Sequence, residues 1–219
     1  MVSCITWYEF GRFDDPGIWG TIPTRYLWSK HQKFRWALGA REICHSNWLY
    51  EWFFTLGQTL PIVRGHGIYQ PVMDFALELL NRGEWIHFFP EGRVIQSPFE
   101  ALLRWKWGMA RLILECNVNP VLIPIWHSGF NHMLPMSSLK TTYLIDMIPR
   151  PGKDIIIAFG KPFQIDDNRR KQYTLMTKKE KYALKSEVMH ELYDRFHKLR
   201  LKTKHDVMEG QNIHEIKYM

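Results

Sequence analysis

The apolar run from Trp85 to Phe89 stops abruptly at Pro90-Glu91-Gly92 and is followed by Arg93. A buried strand that breaks into such a turn presents a carboxylate, a flexible backbone and a cation together. Open α/β sheets place their ligand sites at this end of a strand. Gly92 permits close approach of a ligand to the backbone. Glu91 can orient a neighbouring guanidinium or a hydroxyl, and Arg93 adds positive charge. Nearer the amino end, Asp14 and Asp15 before Pro16 have the composition of a helix start, with an acidic cap and proline in the first turn.

The elements around these residues alternate between helix and strand. Residues 41–56 are expected to form one helix ended by Gly57, followed by a strand in "TLPIV" up to Arg64. "VMDFALELLNR" has the spacing of an amphipathic helix closed by Gly83, and "WIHFF" reads as a strand. "RWKWGMARLILEC" is then a helix, and "VLIPIW" and "DIIIAF" are strands. Between Lys179 and Leu201, apolar residues Met189, Leu192, Tyr193, Phe196 and Leu199 fall on one face of a terminal helix, with a polar, frayed tail from Lys202. The expected fold is one α/β domain, a mixed and mostly parallel sheet flanked by helices.

The 219 residues suffice for one sizeable core. A net charge of +7 favours an anionic partner, and ten tryptophans suit an interface with lipid or protein. Cys4, Cys44 and Cys116 are too scattered for a disulfide framework or a zinc site. No stretch approaches the ~20 apolar residues of a spanning helix, and the amino-terminal segment reads as neither secretory signal nor transit peptide. A basic nucleic-acid-binding domain would explain the charge, but no DNA or RNA recognition motif accompanies it.

Four blocks in order, "DDPGIWG", "LPIVRG", "FFPEGR" and "VLIPIWHSG", resemble those of the glycerolipid acyltransferases. The segment Arg104–Pro135 and "FGKPF" at Phe159–Phe163 narrow the resemblance to the mitochondrial transacylases that remodel cardiolipin. It covers Asp14 to Phe163. The resemblance implies acyl exchange between phospholipids and lysophospholipids, with monolysocardiolipin and cardiolipin among the lipids handled and with no metal or cofactor. It implies an acyltransferase domain over 14–201, an atypical lead-in over 1–13 and a polar tail over 202–219. It also implies residence on mitochondrial membranes, inner and outer, on the intermembrane-space side, with the domain monotopic.

In that family the first block is His, four residues, then Asp. The imidazole accepts the proton of the attacking hydroxyl, and the Asp holds its working tautomer. The matching Asp is Asp14, and five positions earlier stands Glu9. None of the ten histidines has Asp five residues onward. With a reference pKa near ~4.3, Glu9 is a weak base for a hydroxyl. Activity is therefore expected to be impaired. Either the chain is a shortened or alternatively spliced product, or it is a pseudoenzyme that still binds lipid. His87 and His127 flank the third block and the fourth block's proline, and both read as structural. By the same resemblance Arg64 grips the lipid phosphate with its fork of donors, Gly65 follows it, and Glu91, Gly92 and Arg93 line the acceptor.

Between Asn47 and Val63, Trp48, Trp52, Phe53 and Phe54 crowd around Glu51. This segment is too short and too polar to span a bilayer. It suits one face buried at the headgroup level of a membrane surface, and the competing reading is a core helix.

Overall fold

The computed structural model describes residues 5–6, 14–20, 34–92, 105–130, 152 and 154–209, with the backbone alone for 5–6 and 14–16. In chain order the elements are β1 (Ile5–Thr6), α1 (Asp14–Gly20), β2 (Trp36–Ala40), α2 (Arg41–Cys44), α3 (Trp48–Leu56) and β3 (Thr59–Ile62). They continue with α4 (Pro71–Asn81), β4 (Ile86–His87), α5 (Gly108–Glu115), β5 (Ile125–Ser128), β6 (Ile156–Phe159), α6 (Asp167–Tyr173) and α7 (Lys178–Met208).

Strands β1 to β4 form one sheet in the order β1-β4-β2-β3, and every pairing is parallel. Ile86 of β4 lies opposite Ile5 on one side and Trp36 on the other. Strands β5 and β6 pair antiparallel, and an isolated bridge joins Leu122 to Phe163. The fold is thus α/β, with a four-stranded parallel sheet flanked by helices as the alternating pattern implies, but the antiparallel pair forms a second sheet of its own.

Two departures from the sequence expectation have local causes. The single helix over 41–56 is two, because Asn47 is extended (φ −151°) and its side chain accepts the Tyr50 N–H at 3.0 Å, starting α3 afresh. Strand β2 is written "WALGA", whose alanines and leucine favour helix. Pairing with β3 on one side and β4 on the other overrides that preference.

The core lies between the sheet and helices α4, α5 and α7. Helix α5 is buried from Gly108 to Leu114, so it is a central strut rather than a surface helix. Met73 and Leu80 from α4 and Val188, Leu192 and Phe196 from α7 are all nearly inaccessible. Each such side chain contributes roughly 1.5–3 kcal/mol by leaving water. Helix α7 opens on a capping box, in which the Thr177 N–H donates to Glu180 Oε2 at 2.7 Å. It runs to Met208, past the Lys202 at which a frayed tail is expected. Thr203 is buried there, and its hydroxyl donates to the Leu199 carbonyl at 2.9 Å.

Arg170 of α6 closes the carboxyl end of α5. Its buried guanidinium donates to the carbonyls of Ile113 (2.9 Å), Cys116 and Val118 (3.2 Å), and to Asp167 (2.9 Å). Helix-end carbonyls otherwise need water or a cap. Arg170→Met is therefore expected to lower stability by about 2–4 kcal/mol, by stranding those carbonyls and Asp167. Urea unfolding measures it, and a loss below about 1 kcal/mol would mean the carbonyls find other donors.

Candidate active site at the carboxyl edge of the sheet

Because β1 to β4 are parallel, the chain leaves all four strands at one edge. From β4 it enters Phe88, Phe89 and the Pro90–Gly92 turn. From β3 it enters Val63, Arg64 and Gly65. From β1, paired beside β4, it leads toward Asp14, the first residue of α1. Neighbouring strands are ~4.8 Å apart, so the end of β1 lies beside the end of β4, from which the Pro90–Gly92 turn follows. Arg64 follows β3, two strands from β4, roughly 10 Å along the same edge.

The turn itself is fixed on both sides. Gly92 is left-handed (φ +65°) and its N–H donates to the Phe89 carbonyl at 3.1 Å. The Pro90 carbonyl accepts the Lys106 N–H at 2.6 Å, tying the turn to the segment that enters α5. Pro90 and Glu91 are buried, Glu91 at 3% exposure. Glu91 is therefore part of the wall, not a solvent-facing group.

Arg64 is exposed and pairs with Glu42 of α2 at 3.1 Å. An exposed pair of this kind contributes only about 0–1 kcal/mol, so an anion can displace Glu42. Glu42 went unnoticed in the sequence because it follows β2, the strand whose composition hides it. Gly65 is left-handed, at φ +87°.

Helix α1 packs closely along β4, with Trp19 edge-on to Trp85 at 4.6 Å. A methyl group at Gly17 would stand 2.2 Å from Phe130 Cε1, so glycine is what allows that contact. Trp19 meets His87 edge-on with 5.3 Å between ring centroids, and Phe89 meets it at 4.5 Å. His127 packs likewise on Phe130 at 5.0 Å. Both histidines are closed to solvent. Burial holds His87 well below the ordinary imidazole range, and Arg35 and His127 push it the same way. Glu9 and Arg93 lie outside the described residues, and of Asp14 only the backbone is described.

Helix α3 buries none of its nine residues. Trp48 (78% exposed), Trp52 (60%), Phe53 (59%) and Leu56 (65%) share its surface with Leu49, while Phe54 is half-buried against the Phe53 and Tyr50 rings. An apolar patch of this extent on a short helix is characteristic of a contact surface. Among the described residues, no helix is long and apolar enough to cross a membrane.

A parallel sheet with a Pro-Glu-Gly turn and an arginine loop at its carboxyl edge defines an α/β domain whose candidate site lies at that edge. Residues 13–128, which contain β2 to β4, the turn and the arginine loop, match the Acyltransferase family, and the chain belongs to that family. It is 41% identical over 157 residues to a protein named Taffazin from Dictyostelium discoideum, covering 70% of this chain and 52% of the relative. It is 37% identical over 159 residues to Tafazzin of Drosophila melanogaster, covering 73% and 39%. The N-acylphosphatidylethanolamine synthase of Arabidopsis thaliana is 38% identical over 153 residues, covering 70% and 52%. The chain thus spans about half or less of the length of these relatives.

His87 gives a pH test. It is neutral when folded, whereas an unfolded imidazole takes up a proton near pH ~6.5. Acid therefore favours the unfolded chain, and the stability held above about pH 6.5 is lost as pH falls below it. His87→Gln should flatten that loss, by at most about 1.4 kcal/mol per pH unit. Urea unfolding from about pH 7.5 to about pH 5.5 measures it. Equal slopes for both proteins would show that His87 titrates alike folded and unfolded.

Proposed function

We propose that the chain is a tafazzin-like phospholipid–lysophospholipid O-acyltransferase, taking part in cardiolipin remodelling on mitochondrial membranes. The reading is supported by the Arg64 loop and the Pro90–Gly92 turn leaving the same edge of the parallel sheet, in a chain 37–41% identical to relatives named for tafazzin. The exchange balances without a cofactor. The acceptor hydroxyl attacks the donor ester carbonyl and gives its proton to a base. The tetrahedral adduct expels the donor glycerol oxygen, which takes that proton back.

Arg64 holds the lipid phosphate, displacing Glu42, while Gly65, Glu91, Gly92 and Arg93 shape the acceptor side. Asp14 stands where it would hold an imidazole in its working tautomer, but against a carboxylate base it repels instead. Glu9 stands at the base position, and with a pKa near ~4.3 a carboxylate accepts an alcohol proton poorly, so transfer is slow. Helix α3 sets the domain on the membrane through Trp48, Trp52, Phe53 and Phe54. These aromatic groups suit the boundary between headgroups and acyl chains.

The reading is tested with an acyl-labelled phosphatidylcholine donor and monolysocardiolipin acceptor in vesicles without CoA, with products read by mass spectrometry. Slow formation of labelled cardiolipin is expected, abolished by Asp14→Ala. Glu9→His should raise it by about 10²-fold or more, the usual worth of a positioned base. Label on the amine of phosphatidylethanolamine instead would favour N-acylation. No transfer from Glu9→His, with vesicle binding intact, would favour a lipid-binding protein without catalysis, a second reading that Glu9 itself motivates. Separately, Trp48→Ser with Trp52→Ser should weaken vesicle binding by about tenfold or more, since each ring removes substantial apolar area from water. Unchanged partitioning in a sedimentation assay would remove α3 from the membrane surface.

A further inference from the structure

We infer that Gln70 is a positioning residue for the phosphate grip, acting on Arg64 through the backbone of the Arg64–Gly67 loop. The inference rests on the reading of Arg64 as a phosphate ligand. Gln70 stands at the N-cap of α4, yet its side chain makes no cap hydrogen bond. Asn, Asp or Ser would cap that helix better, but their side chains are too short to do what Gln70 does instead. Its buried amide turns back onto the loop. Oε1 accepts the Val63 N–H at 2.9 Å, and Nε2 donates to the Val63 carbonyl at 3.3 Å and to the Gly67 carbonyl at 2.8 Å.

The first two bonds copy the pairing that another strand would offer, and they continue β3 by one residue. Val63 is the residue immediately before Arg64, so this pairing fixes the peptide from which the guanidinium departs. The third bond closes the loop at its far end. Between them lie Gly65 (φ +87°) and Gly67 (φ +77°), both left-handed and with open space around their α-carbons. Their conformation follows from the loop's path and not from crowding, and that path is held by the His66 N–H bond to the Val63 carbonyl (3.4 Å) together with the Gln70 clamp.

Beyond Gly67 other groups take over. The Ile68 carbonyl accepts from Arg111 Nη1 at 2.7 Å. The Tyr69 ring lies 4.6 Å below the Arg111 guanidinium, and its hydroxyl accepts from Lys185 Nζ at 2.6 Å. Arg111 and Lys185 thus anchor the outgoing half to α5 and α7, and Gln70 anchors the incoming half that carries Arg64.

The experiment measures binding, so it does not depend on turnover. Monomeric dihexanoyl phosphatidylglycerol is titrated against tryptophan fluorescence, with dihexanoylglycerol, which lacks the phosphate, as comparator. Arg64→Ala is expected to weaken the phospholipid by more than about tenfold, as loss of a charge-assisted pair does. Gln70→Ala should weaken it by about tenfold, and so should the near-isosteric Gln70→Met, which keeps the bulk of the side chain but none of its three hydrogen bonds. In the Arg64→Ala background the same Gln70 changes should cost under about twofold, because the two residues act as one unit. Dihexanoylglycerol affinity should not change.

The positioning role is overturned if Gln70→Ala leaves phospholipid affinity intact while Arg64→Ala lowers it. It is also overturned if the two losses multiply, or if both ligands weaken alike. Phospholipid affinity indifferent to Arg64→Ala would remove the phosphate grip and the positioning role together. Should Gln70→Ala not fold, the Gln70→Met arm carries the same comparison.

Discussion

Strand β4 sits between β1 and β2 in parallel register, and the site follows from that one pairing. Ile86 and His87 face Ile5 and Thr6 on one side and Trp36 and Ala37 on the other. Two residues suffice because the strand is sealed: Ile86 and His87 are both inaccessible. A parallel sheet cannot turn tightly from strand to strand, so each connection carries a helix, and the loops gather at the edges. The Pro90–Gly92 turn then falls at the middle of the carboxyl edge, with the α1 connection beside it and Arg64 two strands away.

Three arginines illustrate how burial divides structure from site. Arg170 is buried against helix-end carbonyls and Asp167, and removing it leaves those groups stranded. Arg111 is buried against Glu115 (2.8 Å), Asp74 and the Ile68 carbonyl. Glu115 in turn accepts the Tyr173 hydroxyl at 3.1 Å, and burial followed by the nearby carboxylate pushes that hydroxyl's pKa up, so it remains a donor. These guanidinium groups are committed, because breaking a desolvated pair costs several kcal/mol. Arg64 differs: its partner Glu42 is exposed, their attraction is screened, and the guanidinium is available for exchange.

What could be read from the sequence follows the same division. The turn after "WIHFF", the arginine after "LPIV" and helices α4, α5 and α7 were legible because proline, glycine and apolar spacing mark them locally. Strand β2 was not, since "WALGA" becomes a strand only through its neighbours. With it was lost Glu42, which owes its place beside Arg64 to the β2–β3 pairing. Gln70 carries no local signal for its role either. Its bonds run backwards to Val63 and Gly67 instead of forwards into its own helix, and a long side chain at a cap position looks merely suboptimal. The break at Asn47 had a signal, a good N-cap residue before the aromatic run, but the apolar density on both sides masked it.

The same β2–β3 crossover relates the exposed aromatic helix to the phosphate grip. A connection between parallel strands runs back along the sheet, so α3 begins near the carboxyl edge and ends at the other. Trp48, its first residue, is therefore the one nearest the Arg64 end, and Ile43, beside Glu42 in α2, is exposed in the same region. A lipid whose chains lie against this aromatic surface would bring its phosphate toward Arg64 at the level of the headgroups. Under the role proposed for Arg64, a phosphate would take the place of Glu42, and that exchange would need movement of these two exposed side chains alone and none of the sheet.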